Sequence, residues 1–275
     1  MRFASCLLGD RPLAALVEDD SVRPLRDVVE LGRDTPSELL ADPPLTDERL
    51  PLADLRLRPV VPRPGKVVCV GLNYRAHAEE GGYDVPDYPA LFSKFAETLV
   101  AAGDPIMLPP ESEAVDFEAE LAFVIGHPVR RASGAAALEA VAGYTVANDV
   151  SMRDYQYRTA QWLPGKNWAS STPLGPFLVT PDEVGDPHQL DISLELGDER
   201  MQSANTSEFI FDVPTLVGTI SEFVPLVPGD VVLTGTPSGV GYRRDPKVLL
   251  RDGDRVVVDI ERVGRLENPV VAESR

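Results

Sequence analysis

The strongest constraint on the fold is a succession of short apolar runs separated by turn residues. Six of these runs are typical of β-strands, namely ELAFVIG, VAGYTVAND, GPFLVT, LDISLEL, DVVLTGT and RVVVDIE. Many of the 26 prolines and 21 glycines stand between such runs. The segments that favour helices are few, chiefly YRAHAEE, SMRDYQYRTAQ and DVPTLVGTISEF. Because helices do not alternate regularly with strands, we predict a mostly β (α+β) fold and not a βαβ fold.

The chain divides at a proline-rich segment. Before it, RFASCLL and LAALVEDDSVRPL predict strands with a hairpin turn at Asp19–Asp20–Ser21, and TPSELLAD predicts a short helix. Arg58–Lys66 contains three prolines and is typical of a linker. We therefore predict a small N-terminal β-rich domain with its linker over residues 1–62 and a larger domain over residues 63–275.

Charge and composition exclude several classes of partner. The net charge of −18 argues against a nucleic acid or an anionic membrane surface. No apolar run reaches the length of about 18 residues that a membrane-spanning helix needs. The start, MRFASCLLGD, is not typical of a signal peptide, and Cys6 and Cys69 lack metal or redox spacing, so we predict a cytoplasmic protein with reduced thiols. An anionic substrate would need concentrated local positive charge, which a divalent cation with Arg and Lys side chains supplies.

The stretch VDFEAEL raises the question of what neutralises its carboxylates. In a strand, Asp116, Glu118 and Glu120 point to one side, just before the apolar run AFVIG. A solvated strand edge is one interpretation, and a metal site is the other. Asp149, at the end of the run YTVAND, is a third candidate ligand, although it also fits a helix N-cap. Oxygen ligands alone favour Mg²⁺, Mn²⁺ or Ca²⁺ over Zn²⁺.

His77 and Glu80 form a second candidate pair. They lie three residues apart in NYRAHAEE, on one face of a helix that we expect to begin after an N-cap at Asn73 and to end at Gly81–Gly82. A histidine that a carboxylate orients can accept a proton from water. An ordinary surface pair is the alternative interpretation.

Three further features have both a structural and a functional interpretation. Arg153 could hold a ligand carboxylate, bind the acid group of a substrate or form a surface ion pair. Lys166 lies between two proline-flanked turns. The loop GTPSGVG, residues 235–241, lacks the Lys-Ser/Thr ending of a phosphate loop, so it is either a tight turn or a set of N–H groups that receives a carboxylate.

Taken together, the motifs resemble the fumarylacetoacetate hydrolase family. The resemblance covers about Lys66 to Val270, and the first sixty residues are similar to the small, variable N-terminal domain of the family. The motifs that carry it, in order, are GLNYRAHAEE, LFSKF, VDFEAELAFVIG, GYTVANDVSMRD, GKNWASSTPLGP, NTSEFIFDVPTLV, PGDVVLTGTPSGVG and IERVGRLENPV.

The resemblance implies a mixed β-sandwich roll around Mg²⁺ or Mn²⁺, usually in a homodimer. By motif position it implies three metal ligands (Glu118, Glu120 and Asp149), a water-activating pair (His77 and Glu80), an active-site lysine (Lys166) and substrate-binding residues (Thr236, Arg153 and Gln161). One departure is Ala169, which stands where many members have an acidic residue.

Hydrolytic C–C cleavage of a small 2,4-dioxo acid of the acylpyruvate type is the first functional hypothesis. The metal would chelate the 2-oxo acid while His77 and Glu80 activate water. The same enolate chemistry also allows oxaloacetate decarboxylation, or isomerisation or decarboxylation of a hydroxy-dienedioate, which is the alternative. A non-catalytic metal-binding or ligand-binding domain is the hypothesis of another class.

Overall fold

A computed structural model describes residues 1–274, and strands dominate it. The strands are β1 (Arg2–Leu8), β2 (Arg11–Glu18), β3 (Ser21–Pro24), β4 (Leu50–Pro51), β5 (Arg56–Leu57), β6 (Val67–Gly71), β7 (Ala90–Lys94), β8 (Leu99–Val100), β9 (Ile106–Leu108), β10 (Val115–Asp116), β11 (Ala119–Ile125), β12 (Val141–Asn148), β13 (Ser151–Met152), β14 (Thr172–Val179), β15 (Asp191–Leu196), β16 (Glu199–Asn205), β17 (Val231–Leu233), β18 (Arg255–Ile260) and β19 (Gly264–Ala272). The helices are α1 (Ser37–Ala41), α2 (Arg75–Gly81), α3 (Ala135–Glu139), α4 (Arg153–Gln156), α5 (Leu163–Lys166), α6 (Pro181–Val184) and α7 (Val213–Phe223). The predicted mostly β fold is confirmed.

Two larger sheets and one short ribbon make up the fold. The largest is a 12-stranded sheet in the order β4-β3-β2-β1-β14-β12-β11-β17-β6-β7, with β5 paired to β1 and β8 paired to β14. A five-stranded sheet has the order β16-β15-β18-β19-β9, and β10 pairs with β13. Neighbouring strands are antiparallel except in the pairs β6–β17, β8–β14 and β9–β19. The sheets are therefore mixed.

The centre of the large sheet is buried on both faces. Every residue of β11 and β12 is buried, as the continuously apolar runs in the sequence predict. One face packs on the five-stranded sheet, where Leu121 and Phe123 share a cluster with Val258. The other face packs on the N-terminal region, where Val124 shares a cluster with Phe3. This double burial places the ends of β11 and β12, which carry the candidate ligands, deep in the molecule.

The N-terminal residues join the same sheet as the rest of the chain. β1 pairs with β14, with Phe3 opposite Leu178, and the predicted hairpin between β2 and β3 is present. The proline-rich segment 58–66 forms neither helix nor strand, yet Val60 is fully buried and its N–H donates to the oxygen of Leu174 at 3.0 Å. The segment is therefore packed on the sheet and does not span a gap. The domain boundary at residue 62 stays a prediction.

Two helix predictions need correction. α2 ends before Gly82, as expected, with a left-handed φ of 73° at that glycine. The N-cap position is Tyr74 and not Asn73, because the Asn73 side chain bridges the oxygens of Phe211 and Thr234 at 3.0 and 2.7 Å. The helix predicted over residues 151–161 is shorter, since α4 covers only Arg153–Gln156.

The remaining helices cover between 4 and 11 residues. Asp212 caps α7 by accepting a hydrogen bond from Thr215 N–H at 2.9 Å. With 11 residues, α7 is the longest helix of residues 1–274. None of the described helices combines the length and the apolar character needed to cross a membrane.

Candidate active site

Glu118, Glu120 and Asp149 come together where β11 and β12 begin and end. Antiparallel pairing sets Ala119 opposite Asn148, and Asp149 N–H donates to the oxygen of Glu118 at 2.9 Å. One carboxylate oxygen from each of the three side chains lies within 4.8 Å of the other two. All three residues are at most 5% exposed. The interpretation of Glu118 and Glu120 as a solvated edge is therefore wrong. Asp149 is not a helix N-cap either, because the N-cap position of the following helix, α4, is Met152.

Cationic side chains also lie among these carboxylates. Lys166 Nζ contacts Glu118 Oε2 and Asp149 Oδ2, both at 2.8 Å. Lys94 Nζ contacts Asp149 Oδ1 at 2.6 Å. Arg153 Nη2 lies 2.7 Å from Glu118 Oε1. The protein's own lysines and arginine therefore neutralise part of the negative charge of these buried carboxylates.

Asp116 completes this charge cluster and was not assigned a role from the sequence. Its Oδ2 atom lies 2.8 Å from Arg153 Nη2. With Asp116 included, four buried carboxylates face three buried cations, which leaves one net negative charge when all are ionised. A bound divalent cation would convert this to one net positive charge, which suits an anionic ligand.

The charges shift the pKa values of the two glutamates in opposite directions. Burial raises the pKa of Glu118, but the nearby charges of Lys166 and Arg153 outweigh it and lower this pKa to about 2. Burial, Asp149 and Glu118 together raise the pKa of Glu120 well above its usual range. Of these two glutamates, Glu120 is therefore the one whose protonated form is favoured when no cation is bound.

The donor set fits a hard divalent cation. Glu118, Glu120 and Asp149 offer only oxygen atoms, which is the ligation that Mg²⁺, Mn²⁺ and Ca²⁺ prefer. Gly235 N–H donates to Glu120 Oε2 at 2.7 Å and so fixes the orientation of this carboxylate. The identity of the ion and the assignment of these residues as its ligands stay predictions.

Removing a bound cation is expected to lower the melting temperature, and to lower it more at high pH. The pKa of Glu120 is raised in the folded protein. Its contribution to the free energy of unfolding is therefore complete below the unfolded-state pKa of about 4.3 and declines as the pH rises toward the folded-state pKa. For Glu118, whose pKa is lowered, the contribution is present above about 4.3 and is lost only as pH falls toward about 2. Glu118 is ionised at both pH 6 and pH 8.5, so of these two glutamates only Glu120 contributes a pH dependence between them, and a cation offsets the cost of ionising it.

Differential scanning fluorimetry with Mg²⁺ and after chelation measures this effect. The stabilisation should reach about 3 kcal/mol at an ion concentration a hundredfold above Kd. The control is Glu120→Gln, which has no proton to release and should show no growth of the ion-induced shift with pH. An equal shift at both pH values in the wild type would contradict the role of Glu120.

His77 and Glu80 lie on α2 and form a contact of 3.1 Å between Nδ1 and Oε2. The other carboxylate oxygen of Glu80 accepts the N–H of Gly239 at 2.9 Å. His77 lines the same cavity as Glu118 and Glu120. Because Glu80 holds Nδ1, the second ring nitrogen, Nε2, is the one left to serve as a base.

The loop GTPSGVG delivers its N–H groups to carboxylates of the protein itself. Gly235, Gly239 and Gly241 donate to Glu120, Glu80 and Asp116, respectively, at 2.7 to 2.9 Å. Gly235 has a φ of 97°, and an added Cβ would lie 2.8 Å from Asn73 Cβ, so only glycine fits. These three N–H groups hold site carboxylates in place, so they are not free for a substrate carboxylate.

Thr236 lines the cavity, and its hydroxyl oxygen accepts a hydrogen bond from Gln202 Nε2 at 2.9 Å. Gln161 is exposed and is not among the lining residues. The nearby Gln156 does line the cavity, and its Oε1 accepts from Arg153 Nη1 at 2.8 Å. The structure thus brings Gln156, and not Gln161, to the predicted substrate pocket.

Lys166 reaches the cluster because α5 packs closely against α4. An added Cβ at Gly165 would lie 2.4 Å from Cβ of Gln156, so glycine is required for this approach. Lys94, at the end of β7, is buried and was missed because a lysine at a strand end is normally solvated. Its position in the motif LFSKF was the only signal in the sequence.

Comparisons with known proteins agree with this arrangement. Residues 66–271 match the family model described as Fumarylacetoacetate (FAA) hydrolase C-terminal, and residues 1–59 match one described as Rv2993c-like, N-terminal. The chain is 47% identical to a mitochondrial oxaloacetate tautomerase of Rattus norvegicus over 223 residues, which cover 81% of this chain and 71% of the relative.

Solved structures are similar over the full length. The chain superposes on a 5-carboxymethyl-2-hydroxymuconate delta-isomerase from Mycobacterium smegmatis with a TM-score of 0.85 and 34% identity, covering 99% of this chain and 100% of the other. A 2-hydroxyhepta-2,4-diene-1,7-dioate isomerase from Mycobacterium marinum gives a TM-score of 0.83 and 35% identity with full coverage of both chains. With the family model matching most of its length, this chain belongs to the fumarylacetoacetate hydrolase family.

Proposed function

We propose that the protein catalyses keto–enol tautomerisation of a small 2-oxo acid of the oxaloacetate type, with a hard divalent cation as cofactor. The observation that carries this proposal is that His77, which Glu80 orients, lines the same cavity as the buried Glu118 and Glu120. Tautomerisation needs one base beside a stabilised enolate and no delivered water. The identity with the rat oxaloacetate tautomerase supports the same reaction.

Glu118, Glu120 and Asp149 would hold Mg²⁺ or Mn²⁺, or Ca²⁺ where that ion is supplied. When bound, the ion supplies a Lewis acid for the carboxylate and 2-oxo oxygens of the substrate. Lys166 and Arg153 pair with Glu118 and favour its ionised form, which is the form that binds a cation.

His77 would move the proton. Glu80 fixes the imidazole through Nδ1, so that Nε2 takes a proton from C3 of the keto form and returns it to the oxygen at C2. The C3–H bond breaks, its electron pair forms the C2–C3 double bond, and the C2–oxygen double bond becomes single as that oxygen takes the proton, without any net consumption of water. Gly239 N–H holds Glu80 in place throughout.

Hydrolytic cleavage of an acylpyruvate is the second candidate. The same His77–Glu80 pair could deliver water to a carbonyl group, with Lys166 beside the developing oxyanion. Decarboxylation of oxaloacetate, or isomerisation or decarboxylation of a hydroxy-dienedioate, uses the same enolate without delivered water.

A substrate panel separates these reactions. Solid oxaloacetic acid dissolves as the enol, so loss of enol absorbance reports tautomerisation, and coupled detection of pyruvate reports decarboxylation. Acetylpyruvate tests hydrolysis. With Mg²⁺ we expect fast loss of the oxaloacetate enol without matching pyruvate release, and chelation should abolish the acceleration. No acceleration of any of these reactions by the ion-loaded protein would favour the non-catalytic alternative.

Three further expectations remain proposals. The substrate is a small anion, and neither nucleic acid nor membrane is a partner. The protein forms a homodimer, which sedimentation velocity can test. Its location is the cytoplasm, which fractionation of the source cells can test.

A further inference from the structure

Arg243 is a cation of the cavity lining that forms no ion pair with a carboxylate of the described residues 1–274. It lines the cavity together with His77, Arg153 and Lys166. Arg153 and Lys166 are both engaged by buried carboxylates. Within residues 1–274, no carboxylate lies within ion-pair distance of the Arg243 guanidinium, and the residue is exposed. Its charge is therefore free to meet a ligand.

The backbone that carries Arg243 is tied to the charge cluster. Gly241–Arg243 forms a 3₁₀ turn, and the N–H groups of Gly241 and Tyr242 donate to Asp116 at 2.8 and 3.1 Å. Asp116 also pairs with Arg153. The same carboxylate thus anchors both the Arg153 side chain and the backbone turn that carries Arg243.

The guanidinium lies on the side of the cavity near α2. Arg243 Nη2 is 3.9 Å from the position of a Cβ added at Gly81, the last residue of α2. Its Cζ is 6.0 Å from the ring centroid of Tyr157, which packs on Tyr242 with a centroid distance of 5.6 Å. These contacts place Arg243 on the part of the cavity lining beside Gly81, at the end of the helix that bears His77.

We propose that Arg243 binds the second carboxylate of a dicarboxylic 2-oxo acid and selects this substrate class over monocarboxylates. The proposal rests on the proposed function. A guanidinium matches a carboxylate with two parallel hydrogen bonds. The ion-loaded cluster would carry one net positive charge, and Arg243 adds a second cationic group in the same cavity. In a protein of net charge −18, such concentrated positive charge favours the binding of a dianion.

Oxaloacetate and its 4-methyl ester test this proposal, because the ester keeps the reacting centre and removes the distal charge. Arg243→Gln should lower kcat/KM for oxaloacetate by about tenfold or more, mainly through KM, and should change that for the ester by less than about twofold. Arg243→Lys should retain part of the preference for oxaloacetate over the ester, since it keeps the charge but loses the two parallel N–H donors of the guanidinium. Arg251→Gln, which removes an exposed arginine outside the lining, is the matched control and should behave as wild type.

Calorimetric binding of both compounds in Mg²⁺ separates this proposal from the proposed function. Tighter binding of oxaloacetate than of the ester by the wild type, lost in Arg243→Gln, supports Arg243 even if neither compound is turned over. Absence of the preference in the wild type, or its persistence in Arg243→Gln, overturns the role of Arg243 while leaving tautomerisation intact.

Discussion

Replacing Asp149 by asparagine is expected to lower the rate of enol loss by about three orders of magnitude. Asp149 accepts from Lys94 at 2.6 Å and from Lys166 at 2.8 Å, and it is one of the three carboxylates that can surround a cation. Asparagine removes the charge and turns an amide donor toward one of these ammonium groups. Loss of a Lewis acid worth several kcal/mol corresponds to about 10³-fold in rate.

The same change should weaken Mg²⁺ binding and lower stability. Leaving buried ammonium groups without their full partner costs about 3 to 5 kcal/mol. Calorimetric ion binding and enol absorbance, both at a temperature where the variant is folded, measure the two effects separately.

Asp230→Asn is the matched control for Asp149→Asn. Asp230 is fully buried and pairs with Lys66 at 2.7 Å, but it does not line the cavity. This control should lose stability and keep its rate and ion affinity. If Asp149→Asn binds Mg²⁺ as tightly as the wild type, Asp149 is not a ligand.

Replacing His77 by alanine is expected to lower the rate of tautomerisation by about 10² to 10⁴-fold, the range typical of general acid–base groups. Ion binding should not change, because His77 is not among the clustered carboxylates. Stability should change little, since Glu80 keeps its hydrogen bond from Gly239 and still anchors α2. Enol absorbance measures the rate, and scanning fluorimetry measures the stability.

His127→Ala serves as the control, because His127 also contacts a carboxylate, Glu38, but lies outside the cavity lining. Hydrolysis of acetylpyruvate should fall with tautomerisation if both use the same base, whereas decarboxylation of oxaloacetate can survive. An unchanged rate of enol loss in His77→Ala would remove His77 from its proposed role.

Much of the local structure follows from patterns within a few residues. The apolar runs predicted β11 and β12, and Gly82 predicted the end of α2. The N-cap at Asn73 failed because the side chain of that residue is used 138 and 161 residues away, at Phe211 and Thr234. A local pattern contains no information about such a competing partner.

The candidate site also combines features that the sequence predicts with features that depend on distant contacts. The sequence motifs singled out Glu118, Glu120 and Asp149, and the structure brings them together. The resemblance implies Gln161 by motif position as a pocket residue, whereas the structure places Gln156 in the cavity lining and leaves Gln161 exposed. The helix ends at Gln156, and Gly165 lets α5 close on it, which turns Gln156 into the cavity.

The sequence by itself determined the type of fold, the chemistry of the ligand set and the pairing of His77 with Glu80, because these depend on residue type and on spacing along one strand or helix. Only the tertiary structure decided what neutralises the carboxylates and what holds them. Lys94 reaches Asp149 across 55 residues, and Gly241 reaches Asp116 across 125. A buried charge needs a partner, because leaving it unpaired away from water is costly. That partner can come from any segment that the packed sheets bring close, so a local sequence pattern does not specify it.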